Sequence, residues 1–321
     1  MTGRRSLLAL AGLAPFSARA QAPWVPDRPV RLVVPFAPGG SQDVLGRLLA
    51  QAVSGPLGGQ VVVENRAGAG GVLGAETVAR ATPDGLTLFL ATAGQLTIAK
   101  AIGRRLTYDP IEDFTPILWL TDSPVALLAA PDLPVKDAKD LLRFAREARE
   151  PLPYASTGIG TNTHLIMEDL KARESLKVEH VPYRGAAAAF NDLQAGRIAL
   201  MFVSVPSVLA VAPGQFKVMA VTSRGRFAAV PDVPTLIEAG VADFEASIWT
   251  GLSAPAHLPP AIRDRLAAAF TEALHSDLVR SRLNVLGAAP NGADGAAFGA
   301  MLRADLARWT RVAAPLTITL D

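Results

Sequence analysis

The stretch Val33-Val-Pro-Phe-Ala-Pro-Gly-Gly-Ser-Gln-Asp43 decides how this chain is read. Upstream, Val30, Leu32, Val33 and Val34 form the short continuous apolar run of a strand covered on both faces. Pro35, Pro38, Gly39 and Gly40 end it, and from Ser41 the apolar residues Val44, Leu45, Leu48, Leu49 and Ala52 recur at helical spacing. The pattern is strand, tight loop, helix start. The first N–H groups of such a helix have no intrahelical acceptor, and they lie at the positive end of its dipole. A loop of this kind holds an anion without a basic side chain, so it is read as a carboxylate-binding loop.

The same alternation continues along the chain. Strand-like runs at Val30–Val34, Val61–Val63, Thr87–Leu90, Val125–Ala129, Val178–Val181, Ile198–Phe202 and Val218–Val221 interleave with helical patterns near 42–54, 72–81, 137–149, 162–173, 186–195, 260–275 and 293–309. This predicts an α/β protein with mostly parallel sheets flanked by helices. Two extended stretches ending in proline, Leu118–Pro124 and Ala246–Pro255, read as crossings between lobes. They divide the chain into lobe 1, residues 21–123 plus 249–321, and lobe 2, residues 124–248, with a hinged cleft between them. Trp249, in the second crossing, reads equally as a packed hinge residue or a wall of the cleft.

Residues 1–20 carry Arg4-Arg5, the apolar run Leu7 to Phe16 and Ala18-Arg19-Ala20, an export-signal pattern cut after Ala20. Arg4-Arg5-Ser-Leu-Leu8 also approximates a twin-arginine signal, so either the general or the twin-arginine route is open. Cleavage removes Arg4, Arg5 and Arg19 and no acid, leaving 28 basic and 29 acidic side chains in place of 31 and 29. A mature chain near neutrality without a Lys/Arg block offers no footprint for nucleic acid. Zero cysteines exclude disulfides, thiol catalysis and a lipid-anchored N-terminal cysteine. The expectation is a monomeric protein free in the periplasm.

A second loop, Tyr154-Ala-Ser-Thr-Gly-Ile-Gly-Thr-Asn-Thr-His164, repeats the chemistry of the first, with hydroxyls and free amides at another helix start. Facing one another from opposite lobes, the two would grip one ligand; singly, each is as readily a plain Gly-rich turn. Val63-Glu-Asn-Arg-Ala-Gly-Ala-Gly-Gly-Val-Leu-Gly74 fails the dinucleotide fingerprint because Leu73 stands where glycine is required, and it is read as structural. His164, His180, His257 and His275 show no metal-ligand spacing, so no metal or cofactor is expected. His164 is placed near the ligand, where it also serves as a brace for the loop. Tyr183 reads as a hydroxyl donor, and Arg184 as a cleft residue or a solvated one.

These residues resemble a known family, the periplasmic substrate-binding proteins of tripartite tricarboxylate transporters, also called Bug receptors. The resemblance rests on Arg28–Gly40 with Asp43, Val62–Gly71, Tyr108–Phe114, Tyr154–Thr161 with His164, His180–Gly185, Val233–Gly240 and Trp249–Pro255, in the family's order. It implies a two-lobed periplasmic-binding-protein fold, type II-like, closing over a small carboxylate, with no catalytic residues. By the same resemblance the carboxylate lies between Phe36, Ala37, Pro38, Gly39, Gly40, Ser41 and Asp43 on one side and Ser156, Thr157, Gly158 and Thr161 on the other. Gly94 and Gln95 make a third wall, with His164, Tyr183, Arg184 and Ser204 nearby. The partners implied are membrane permease subunits, or a sensor kinase if the closed form signals rather than delivers.

The chain departs from the family at Gln42, where many relatives have threonine, at Ala99-Lys100, where they have Asn-Pro, and at Phe202–Ser207. An apolar wall formed by that last segment would disfavour an ammonium group and hence an amino acid. A competing reading of another class is an exported hydrolase using Ser41 or Ser156 with His164, although no nucleophile elbow is present.

Overall fold

The computed structural model describes residues 24–183, 185–209, 214–316 and 318; the export segment and Arg184 lie outside them. Val30–Val34 is a strand (β1) with all but Arg31 buried, as its apolar run dictates. The other strands are β2 Val61–Asn65, β3 Thr87–Thr92, β4 Phe114–Ala129, β5 Leu152–Ser156, β6 Val178–Pro182, β7 Leu200–Ser204, β8 Lys217–Val221, β9 Ser247–Pro255 and β10 Ala289–Asp294. The helices are α1 Ser41–Leu57, α2 Val72–Ala79, α3 Ala99–Ala101, α4 Ala138–Glu147, α5 Asn162–Glu174, α6 Ala186–Gln194, α7 Val205–Leu209, α8 Pro260–His275, α9 Asp277–Val285 and α10 Gly295–Ala313.

The strands form one continuous ribbon in the order β2-β1-β3-β9-β4-β7-β5-β6, with β8 and β10 also on β4. β4 makes this possible. Its first part, Phe114 to Pro124, pairs antiparallel with β9, and its second, Val125 to Ala129, pairs with β7 and β8. The partner therefore changes at Pro124/Val125, where proline removes a ladder donor. Both stretches read from sequence as crossings are strands, and they are paired to each other. Parallel pairs are confined to β1 with β2 and β3 and to β5 with β6 and β7, so the antiparallel pairs around β4 and β9 make the sheet mixed.

One apolar cluster packs β1 and β3 under α1, α8 and α9 through Leu49, Val53, Phe270 and Leu283. A second underlies β7 and α6 through Leu193, Met201 and Val203. A third crosses from Val33 and Phe89 through Phe298 and Trp309 of α10 to Tyr154, Leu165 and Phe202. α10 thus ties the two sheet halves together along one side. Helix and sheet also approach closely at Gly46 of α1, where a Cβ would come within 2.9 Å of Val34 Cγ2.

Candidate functional site

Two strand-to-helix loops meet at the divide between the sheet halves. The first runs from β1 to α1, whose N-cap is Gly40 and carries no side-chain cap. Gly39 turns the chain with φ 86°, a conformation glycine adopts without strain. Asp43, three residues past the N-cap, folds back so that its Oδ2 accepts the Gly39 N–H at 2.9 Å. Its carboxylate also accepts from Arg47 Nε at 3.0 Å and Asn65 Nδ2 at 2.9 Å, and that same Asn65 nitrogen donates to Phe36 O at 3.1 Å. Hydrogen bonds from Arg47 and Gly39 hold the Asp43 pKa down at about 2. Asp43 is buried behind the loop and braces it, while Gly40 and Ser41 at the helix start are exposed.

The second loop runs from β5 to α5, whose N-cap Thr161 likewise makes no side-chain cap bond. His164, again three residues past the N-cap, accepts the Gly160 N–H on Nδ1 at 3.1 Å. The two loops therefore share one construction, an acceptor reaching back to the amide before the N-cap, in the manner of a capping box. Thr157, Thr161 and Thr163 place their hydroxyl oxygens 3.0 to 3.4 Å apart at this helix start, and the Thr157 N–H donates to Thr163 Oγ1. Behind them His164 stacks on His180 at 3.9 Å, and His180 on Tyr154 at 5.0 Å. Burial, then the neighbouring His164, pushes the His180 pKa down to about 4, and burial lowers that of His164.

Between the loops lies a cavity of about 460 Å³. Phe36, Gly40, Ser41, Gly94, Gln95, Thr157 and Thr161 line it, as the sequence reading placed them. Ala37, Pro38 and Gly39 form the exposed tip of the first loop. Ser156 is fully buried beneath the second, its Oγ 2.7 Å from His180 Nε2 and accepting from Gly158 N. The serine–histidine contact is thus with His180, not His164. The Tyr183 hydroxyl donates to Asp192 Oδ2 at 2.5 Å, and burial, then this hydrogen bond, raises its pKa to about 12.

Ser204 lies 2.9 Å from Ser207 Oγ outside the cavity, and the neighbouring Pro206 packs against Gly287, so this segment is not the apolar wall expected of it. Trp249 is buried, edge-on to Phe298, with Nε1 donating to Asp305 at 3.1 Å, and it borders the cavity against α10 rather than the one between the loops.

Several lining residues escaped the sequence reading. Gln42 bonds Thr250 of β9 through Nε2 at 3.1 Å, and its departure from the family pattern was the only signal for it. Gly70 enters the wall because Gln95 Nε2 donates to its carbonyl at 3.0 Å while Gln95 Oε1 accepts from Thr92. Ile98, Ile102, Ile159 and Ile248 supply apolar surface, and Arg104 a charge. No acidic side chain lines the cavity among the described residues.

A second cavity, about 450 Å³, lies against β10 and α10 and includes Asp122, Asp305 and Glu245. Arg308 lines it too, and burial raises the pKa of both aspartates toward the neutral form. The cavity between the helix starts has no acidic side chain in its wall among the described residues and suits an anion.

MatC from Rhodopseudomonas palustris, solved with bound malate, is 35% identical to this chain, covers 90% of it and 99% of itself, and superposes with a TM-score of 0.73. A second R. palustris protein, solved with adipate, is 33% identical over 92% of this chain and 99% of its own, TM-score 0.76. The periplasmic binding protein BugD is 34% identical over 90% and 98%, TM-score 0.72. Residues 45–317 match the model of the tripartite tricarboxylate transporter family receptor, and the chain belongs to that family of periplasmic solute-binding proteins.

Proposed function

We propose that this protein captures a small carboxylate between the α1 and α5 helix starts and closes over it, for delivery to the membrane subunits of a tripartite transporter. The observation that carries this reading is the pair of uncapped helix N-termini facing one cavity that no acidic side chain lines among the described residues. Unpaired first-turn amides, the dipole ends and the threonine hydroxyls are the chemistry a carboxylate needs. Malate in one relative and adipate in another agree with that class. The lobes are residues 21–123 with 249–321 and residues 124–248, flexing where β4 changes partners, and closure shifts a pre-existing balance of open and closed forms. The export signal ends at Ala20.

The test is a thermal-shift screen of residues 21–321 against mono-, di- and tricarboxylates, aromatic acids and amino acids. A ligand at a hundredfold its dissociation constant adds about 2.7 kcal/mol of stability. A shift with carboxylates that Ser41→Asp abolishes, by placing a like charge among the amides, supports the site. A shift that survives Ser41→Asp places the ligand elsewhere, and none across the panel removes the carboxylate reading.

A further inference from the structure

The charge in the cavity is carried by one side chain. Among the described residues, Arg104 alone of those lining it is ionised. It follows Gly103, whose φ of 74° ends the short α3 turn and redirects the chain. The guanidinium is held in place: Nη1 donates to Ala69 O at 2.5 Å and lies alongside Gly70, where a Cβ would approach it to 3.5 Å. Gly71, read from sequence as purely structural, leaves the room that Gln95 occupies. A Cβ on Gly71 would come 2.4 Å from Gln95 Nε2.

Arg104 has no carboxylate within 4.0 Å among the described residues, whereas the nearby Lys100 is paired with Asp109 at 2.6 Å. A half-buried guanidinium with one donor fixed to a carbonyl keeps further donors for a planar anion, which it can hold in bidentate fashion. The amide ends of α1 and α5 already serve one carboxylate, and Arg104 sits on a different loop, the one between α3 and β4, tied to the loop after β2 through Ala69. The cavity wall also contains Ile98, Ile102 and Ile159, and Ile159 is 48% exposed, an apolar surface suited to hydrocarbon. Gly160 of the second loop lies over Ile102, where a Cβ would come within 2.8 Å of its Cδ1, so the two halves meet along this apolar side.

We propose that Arg104 is the specificity-determining residue for a second carboxylate, so that the cleft selects aliphatic dicarboxylates over monocarboxylates of the same chain length. The inference rests on the receptor reading above and adds to it a residue and a selectivity. The amides bind the carboxylate common to both classes of ligand, and the guanidinium rewards only the ligand with a charge at its other end. A monocarboxylate of equal length would leave its methyl terminus against Arg104 and strip water from the cation without replacing it.

The experiment titrates the mature wild-type protein, Arg104→Gln and Arg104→Lys with succinate, glutarate and adipate, and in parallel with butyrate, valerate and hexanoate, at neutral pH. The wild type should bind at least one diacid more tightly than its monoacid counterpart. Arg104→Gln should lose about tenfold to a hundredfold on that diacid while its monoacid affinity moves by less than about twofold, the range expected for one charged hydrogen-bonding partner. Arg104→Lys should fall between, since it keeps the charge and loses the fork. An unchanged melting temperature of the ligand-free variants shows that the fold is intact, as expected for a partly exposed side chain. Equal losses on both series, or no loss on either, overturn the proposal, as does a wild type that binds monoacids as tightly as diacids. If the wild type binds no acid of either series, the receptor reading falls and this proposal with it.

Discussion

At the scale of single residues, both loops depend on an acceptor three positions into the helix that reaches back to the amide before the cap, and the acceptors differ in how they respond to acid. Asp43 keeps its charge down to about pH 2 because Arg47 and the Gly39 amide hold its proton off. His164 can accept from Gly160 only while Nδ1 is unprotonated, and its stacking partner His180 is pushed to about 4 from 6.5. Both histidines have folded pKa values below the unfolded one, so between those values the unfolded chain binds more protons and stability falls as pH falls. The His180 contribution is complete above about pH 6.5 and is lost on the way to pH 4, and that of His164 falls in the same direction. Asp122 and Asp305 act in the opposite sense, since burial raises their pKa and favours the fold as they protonate. The comparison that isolates the histidine is therefore wild type against His180→Gln. The melting temperature of the variant should decline less between pH 7 and pH 5, measured by calorimetry; parallel curves would show that the stack does not titrate. The helix-start loops were visible in the sequence because prolines, glycines and hydroxyls announce them. The brace role of His164 was read beside a ligand role, but that of Asp43 was not, since an acceptor facing backward and one facing a ligand have the same spelling.

At the scale of elements, β1, β3 and the amphipathic helices were legible because each carries its own periodicity. β9 and β10 were harder. Ser247–Pro255 mixes polar and apolar residues on a strand whose last seven positions are all buried, so no alternation marks it. Ala289–Asp294 contains Pro290, Asn291 and Gly292, which read as a turn, and it becomes a strand only by pairing with Leu118 to Asp122 across a register shift. The mixed character of the sheet follows from these tertiary pairings and from nothing local. The β9–α10 contact is the closest of its kind: a Cβ on Gly251 would fall 2.0 Å from Phe298 Cζ, in a ring that is itself fully buried between Trp119 and Trp249. Gly251→Ala should therefore destabilise the protein by about 1–3 kcal/mol, as overpacking does. Urea denaturation checks it, and the double variant Gly251→Ala with Phe298→Leu should recover part of the loss.

At the scale of the whole molecule, the halves are joined by more than their two crossing strands. Arg308 of α10 donates to Asp169 of α5 through Nε at 3.0 Å and Nη2 at 2.6 Å, and through Nη1 to Glu245 O at 2.6 Å. The guanidinium also lies over Trp309, 4.7 Å from its ring centroid. Asp169 is buried and shares Arg173, so the cluster is a latch on the side where the core is continuous. Arg308→Met keeps the packing and Asp169's second partner while releasing the latch. It should lower stability by about 1–3 kcal/mol and broaden the spread of distances between the halves. A chain without cysteines allows spin labels at Gln51→Cys and Gln194→Cys, one on each half, and an unchanged distance distribution would assign the holding role to the apolar core instead. The pairing of β9 between β3 and β4 also bears on how the molecule is made. As the chain emerges, the strands from Leu152 to Val221 can assemble with the end of β4 as they appear, whereas β3, buried along its whole length in the finished fold, keeps an open edge until Ser247–Pro255 has been synthesised. The half that contributes the α1 amides is thus completed last, and during synthesis and export the unpaired edge of β3 is where a chaperone would have to hold the chain against aggregation.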